Sequence, residues 1–139
     1  MAAAVLGCAA CHLPSPKGAT MNTTGQKDSS ADGPGRLVIV CYEPKPGKDG
    51  DLRKLLRDHV PTLRREGLAT DRPAYFMQAQ SGAYIEVFEW QSQAAIDRAH
   101  SDPAIQEMWK AFGEACDYRK LRDLAEANDL FAGFTPVDL

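Results

Sequence analysis

The chain has 139 residues, 44% hydrophobic and 25% charged, with a formal net charge of −3. This is one domain's length with an ordinary globular composition. No apolar run reaches the roughly 18 residues of a membrane span, and the mixed charge gives no basic footprint for nucleic acid. Four cysteines are too few for a disulfide-built scaffold, which points to a cytoplasmic protein with reduced thiols.

Residues 1–35 stand apart. From Pro14 to Gly35 the chain is mostly Gly, Pro, Ser, Thr, Asn and Asp without apolar periodicity. It cannot bury enough apolar surface to offset its ordering entropy, so disorder is expected there and a domain over 36–139. Cys8-Ala9-Ala10-Cys11-His12 matches the C-x-x-C-H pattern of covalent c-type haem, in which two thiols take the vinyl groups and the histidine takes the iron. Attachment occurs outside the cytoplasm, however, and no basic residue precedes Cys8 to start an export signal. Val5-Leu6-Gly7-Cys8 fails as a lipoprotein box for the same reason. The motif is read as a chance match, with Met21 as an alternative translation start.

Leu37-Val38-Ile39-Val40-Cys41-Tyr42 is β-branched and apolar throughout, the pattern of a strand covered on both faces. Pro44, Pro46, Gly47 and Gly50 end it. From Asp51 the period becomes helical: Leu52, Leu55, Leu56, His59, Val60 and Leu63 form one stripe, with a kink expected at Pro61 and a stop at Gly67. Two strands, 74–80 and 83–90, flank Ser81-Gly82 as a hairpin. Ser92 caps a short helix ending at His100. Asp102-Pro103 opens another helix, carrying Ile105, Met108, Trp109, Phe112 and Cys116. Leu121 and Leu124 suggest one more helical turn, and 130–134 reads as a last strand ended by Pro136. The order predicts an α+β, ferredoxin-like split βαβ domain with a four-stranded antiparallel sheet. Two helices cover one face of such a sheet. Strands apolar on both faces therefore imply that a second copy packs on the other, a homodimer.

Val38-Ile39-Val40, the segment His59 to Gly67, Ile85-Glu86-Val87-Phe88-Glu89-Trp90, Ser92-x-Ala94-Ala95 and Ala99-His100-Ser101-Asp102-Pro103 together resemble the antibiotic biosynthesis monooxygenase-like family of dimeric α/β barrels. The resemblance covers 36–139. It implies a dimeric barrel and an apolar pocket between sheet and helices. It also implies monooxygenase chemistry on a small phenol- or quinol-type aromatic, with no metal, flavin or other cofactor. The family's haem-degrading branch fits less well. It needs an Asn on the first strand, where 37–42 has none, and a Trp and a His near the positions of Arg98 and Met108.

Two residues are candidate proton acceptors. Glu86 interrupts an apolar central strand, where burial favours a base; its plain alternative is a carboxylate paired with an arginine at a dimer edge. His59 lies on the apolar side of the first helix, either a near-neutral base or a packed histidine bonded to backbone. Tyr42, Tyr84, Trp109 and His100 are candidate substrate-binding residues. A buried phenol needs a hydrogen-bond partner and can orient a substrate hydroxyl. Trp109 equally suits a core stripe, and His100 suits a helix C-terminus. Cys41 and Cys116 read as inert core thiols, and no His/Cys/carboxylate set has metal-ligand spacing. The competing reading is a non-catalytic dimeric barrel that binds a small apolar ligand.

Overall fold

The protein is described here by a computed structural model over residues 33–139; the N-terminal motifs at 5–12 and Met21 lie outside the described residues. Strand β1 is Arg36–Pro44 and helix α1 Asp49–Arg65. Strand β2 is Tyr75–Gln78, β3 is Tyr84–Trp90, helix α2 is Gln93–Ala99 and α3 is Pro103–Ala115. Strand β4, Cys116–Arg119, precedes two short 3-10 turns at Leu121–Asp123 and Ala125–Asn128, and β5 is Thr135–Pro136.

Local chemistry accounts for most of these boundaries. Helix α1 buries Leu52, Leu56, His59, Val60 and Leu63, carries Asp49 and Asp51 in its first turn, and Arg64 and Arg65 in its last. That charge order complements the helix dipole. The helix runs on through Pro61. It ends in a Schellman motif: Leu68 N–H reaches the Leu63 carbonyl at 2.8 Å, Gly67 N–H reaches that of Arg64 at 2.9 Å, and Gly67 has φ +68°. Ser92 Oγ accepts from Ala95 N–H at 3.0 Å, and Asp102 accepts from Ala104 and Ile105 N–H at 2.9 and 3.2 Å. Both expected caps are therefore formed.

The sheet order is β4-β1-β3-β2-β5, every neighbouring pair antiparallel. Strands β1 and β2 thus run parallel with β3 inserted between them, the split βαβ arrangement within an α+β fold. The sheet has five strands rather than the expected four, and the last strand is not at 130–134. Leu130 and Phe131 there are exposed. Pairing with β1 is made instead by β4, three of whose four residues are exposed, so hydrophobic periodicity carries no trace of it. The second edge partner is β5. Its Pro136 lacks an N–H, which an edge position tolerates.

Strand register sorts the two faces. The helix-facing rows are Val38–Phe88, Val40–Glu86–Phe76 and Tyr42–Tyr84–Gln78, packed against α1, α2 and α3 in two apolar clusters. On the reverse face, the row Cys41–Ile85–Met77 is covered by Leu121, Leu124, Ala127 and Phe134. The row Ile39–Val87–Tyr75 is left open. The chain's own C-terminal turns thus cover part of the face on which a second copy was expected to pack.

Candidate functional site

Two polar residues interrupt the apolar surfaces of α1 and β3, and the fold brings them together. His59 Nδ1 lies 2.8 Å from Glu86 Oε2 and 3.0 Å from Oε1. The Tyr42 hydroxyl donates to Oε2 at 2.7 Å. Tyr42 and Glu86 are diagonal neighbours across β1 and β3, since Val40 stands opposite Glu86 and Tyr42 opposite Tyr84. All three residues are buried, Glu86 completely. A carboxylate only accepts, so Nδ1 carries the proton of the His59–Glu86 bond. Nε2 is left as the acceptor nitrogen. It makes no hydrogen bond to the described residues, and 6% of the His59 side chain stays accessible.

Aromatic rings enclose this group. Phe88 and Phe112 meet the imidazole edge-on, centroids 5.3 and 5.1 Å away, and Phe112 stacks on Tyr42 at 5.3 Å. Burial pushes the Tyr42 phenol well above its usual range, and the adjacent Glu86 charge adds to the effect. Tyr42 is thus a neutral donor at ordinary pH.

Neither plain alternative for the two acceptors is what forms. Glu86 pairs with a histidine and a tyrosine rather than an arginine, and His59 bonds a carboxylate rather than backbone. Tyr42 joins the group through its hydroxyl, which Glu86 occupies. Tyr84 lies one row away. Its hydroxyl donates to Asp49 Oδ1 at 2.7 Å and accepts from Arg53 at 3.4 Å. Burial raises its pKa, Asp49 adds to the rise, and Arg53 opposes it. Trp109 packs, half-buried, against the other apolar cluster and meets exposed His100 edge-on at 5.0 Å. His100 is the residue that ends α2, as expected. The fold does not gather this pair with His59 and Glu86 into one hydrogen-bonded group.

Cys41 and Cys116 are buried free thiols, and burial lifts the Cys116 pKa to about 12. No group of three or more His, Cys, Asp or Glu among the described residues has metal-holding geometry. The aromatic walls Phe88 and Phe112 were visible only as members of apolar patterns. The C-terminal segment that packs Val137 and Leu139 beside Phe76 had no signal at all. No family model matches the chain, and no curated protein or solved structure gives a match.

Proposed function

We propose that the protein is a cofactor-independent monooxygenase of the antibiotic biosynthesis monooxygenase-like type, acting on a small phenol- or quinol-type aromatic. The observation that carries this reading is the His59–Glu86 pair, with Nδ1 committed to the carboxylate and the imidazole met edge-on by Phe88 and Phe112. His59 is the base. It takes the acidic proton of the aromatic at Nε2, while Glu86 holds the ring's orientation and stabilises the imidazolium, and Tyr42 holds Glu86. The substrate anion then passes electrons to O2. One oxygen atom ends as a ring carbonyl and the other leaves as water with the two displaced hydrogens, so no outside reductant is required. Glu86 acts here through His59 and is a positioning residue.

A second reading has its own observation. Tyr42, Glu86 and His59 satisfy one another inside an apolar core, as a buried polar network does when it specifies one packing. On this reading the chain is a non-catalytic barrel that binds a small apolar ligand. Both readings include a homodimer joined through the open row Ile39–Val87–Tyr75.

Oxygen uptake with a panel of quinols and polyphenols separates the two. The wild type consumes oxygen on at least one, His59→Ala does not, and Glu86→Gln falls between them. A wild type silent on every phenolic rejects the oxygenase.

A further inference from the structure

Adjacent Leu130 and Phe131 are 92% and 89% exposed, an unusual position for two large apolar side chains side by side. They immediately precede Ala132, which with Ile39, Ile85, Val87, Leu121 and Phe134 lines a hollow of about 210 Å³ on the reverse face. A cavity of about 150 Å³ accepts a benzene molecule, so this hollow has room for one phenyl ring. Around it Leu37, Ile39 and Tyr75 are 61%, 52% and 64% exposed. Taking roughly 200 Å² for each fully exposed side chain of this size, the five residues present on the order of 700 Å². That approaches the ~800 Å² per partner of a stable interface.

We infer that the Leu130–Phe131 knob of each subunit seats in the reverse-face hollow of a second copy, exchanging two identical contacts across a two-fold axis. The inference rests on the homodimer reading above and adds the segment that makes the contact. The knob adjoins the hollow's lining in the chain at Ala132, and Ile39 and Val87 of the open row line the same hollow; a two-fold axis through that row pairs each knob with the opposite hollow. Both elements are apolar, and a buried aromatic anchor in a pocket is the usual energetic centre of an interface. The partner's Phe131 thus completes the covering that the C-terminal turns begin over Cys41 and Ile85.

Sedimentation velocity across a dilution series tests this with the full chain. The wild type sediments as a dimer, and Leu130→Ser/Phe131→Ser weakens its dissociation constant at least about 100-fold, while Phe131→Trp retains it. Both positions are solvent-exposed, so the variant's thermal midpoint in the monomer range stays that of the wild type. Mixing Phe131→Cys chains with Ala127→Cys chains gives a disulfide-linked heterodimer above the wild-type background. A serine variant that dimerises as tightly as the wild type, with no cross-link, overturns the exchange and leaves the dimer standing. A wild type that is monomeric throughout, with the face covered in cis by residues 1–32 for example, removes the dimer and the exchange together.

Discussion

His59 and Glu86, 27 positions apart in the chain, meet at 2.8 Å in the core between α1 and β3, with Tyr42 on the same carboxylate oxygen. Helix and sheet are joined at this point by charge-assisted hydrogen bonds rather than by hydrocarbon alone. Removing Glu86 orphans the other two.

Glu86→Leu deprives the buried Nδ1–H and the Tyr42 hydroxyl of their acceptor at once. The expected cost is about 3–5 kcal/mol, the scale for breaking a buried pair from one side. The triple replacement His59→Leu/Glu86→Leu/Tyr42→Phe removes every orphaned group and recovers most of that loss. Urea unfolding of the wild type, Glu86→Leu, His59→Leu, their double variant and the triple variant reads this directly. Additive single-site costs, with no coupling between His59 and Glu86 beyond about 0.5 kcal/mol, would show that the contact contributes nothing to stability.

Alkaline pH tests the buried thiol. Cys116 has a pKa of about 12 in the fold against 9.0 for the free group, because burial, then Asp117, disfavours its thiolate. Between pH 9 and 12 the unfolded chain therefore holds fewer protons than the native one, so stability falls as pH rises. One such group contributes about 1.4 kcal/mol per pH unit inside the window. Tyr42 and Tyr84, also raised, add to the loss above pH 10. Cys116→Ala should reduce the decline between pH 9 and 10, while Cys41, raised by the same burial, keeps part of it. An unchanged slope in urea titrations over that interval contradicts the assignment.

The helices were largely legible because their signals are local. The stripe Leu52–Leu63, the caps Ser92 and Asp102 and the stop at Gly67 each depend on residues within about one or two turns. The strands were legible only where burial imposes a pattern. Strand β4 has one buried residue, Cys116, and its pairing with Glu43 and Tyr42 is set by where α3 ends rather than by its own composition. For the site, each acceptor stood out as the polar break in an apolar surface. Their meeting depends on which face of β3 turns toward α1. That face is read from strand register, which a single sequence does not contain. A general clue was present nonetheless: two buried polar groups without local partners satisfy themselves most simply with each other.

If Glu86 works through His59, its loss has a kinetic signature distinct from that of the base. His59→Ala should lower kcat on any competent quinol by about 10²–10⁴-fold, the usual share of a positioned base. Glu86→Gln should lower kcat less and leave KM nearly unchanged, because the amide oxygen still accepts from Nδ1 but no longer stabilises the imidazolium. Tyr42→Phe should have the smallest effect of the three. Equal losses for Glu86→Gln and Tyr42→Phe would place the carboxylate in a purely structural role.

The C-terminal segment is held beside the site by few bonds. Val137 N–H donates to the Phe76 carbonyl at 3.0 Å, and Arg53 reaches the Asp138 carbonyl at 2.9 Å while its other nitrogen lies 3.4 Å from the Tyr84 hydroxyl. Val137 and Leu139 are only partly buried, and they border a surface groove of about 470 Å³ with Arg57, Tyr75 and Phe76. Phe76 in turn sits directly opposite Glu86. Few buried contacts and an edge pairing of two residues define a segment that opens well below the global unfolding free energy. Arg53→Ala should therefore raise amide hydrogen exchange at Val137 by about tenfold. The change in global stability should stay within about 1 kcal/mol, and the Leu52 and Leu56 amides of α1 should keep their protection. If Val137 stays as protected as in the wild type, the arginine is not what holds the segment, and the β2–β5 pairing alone secures that edge.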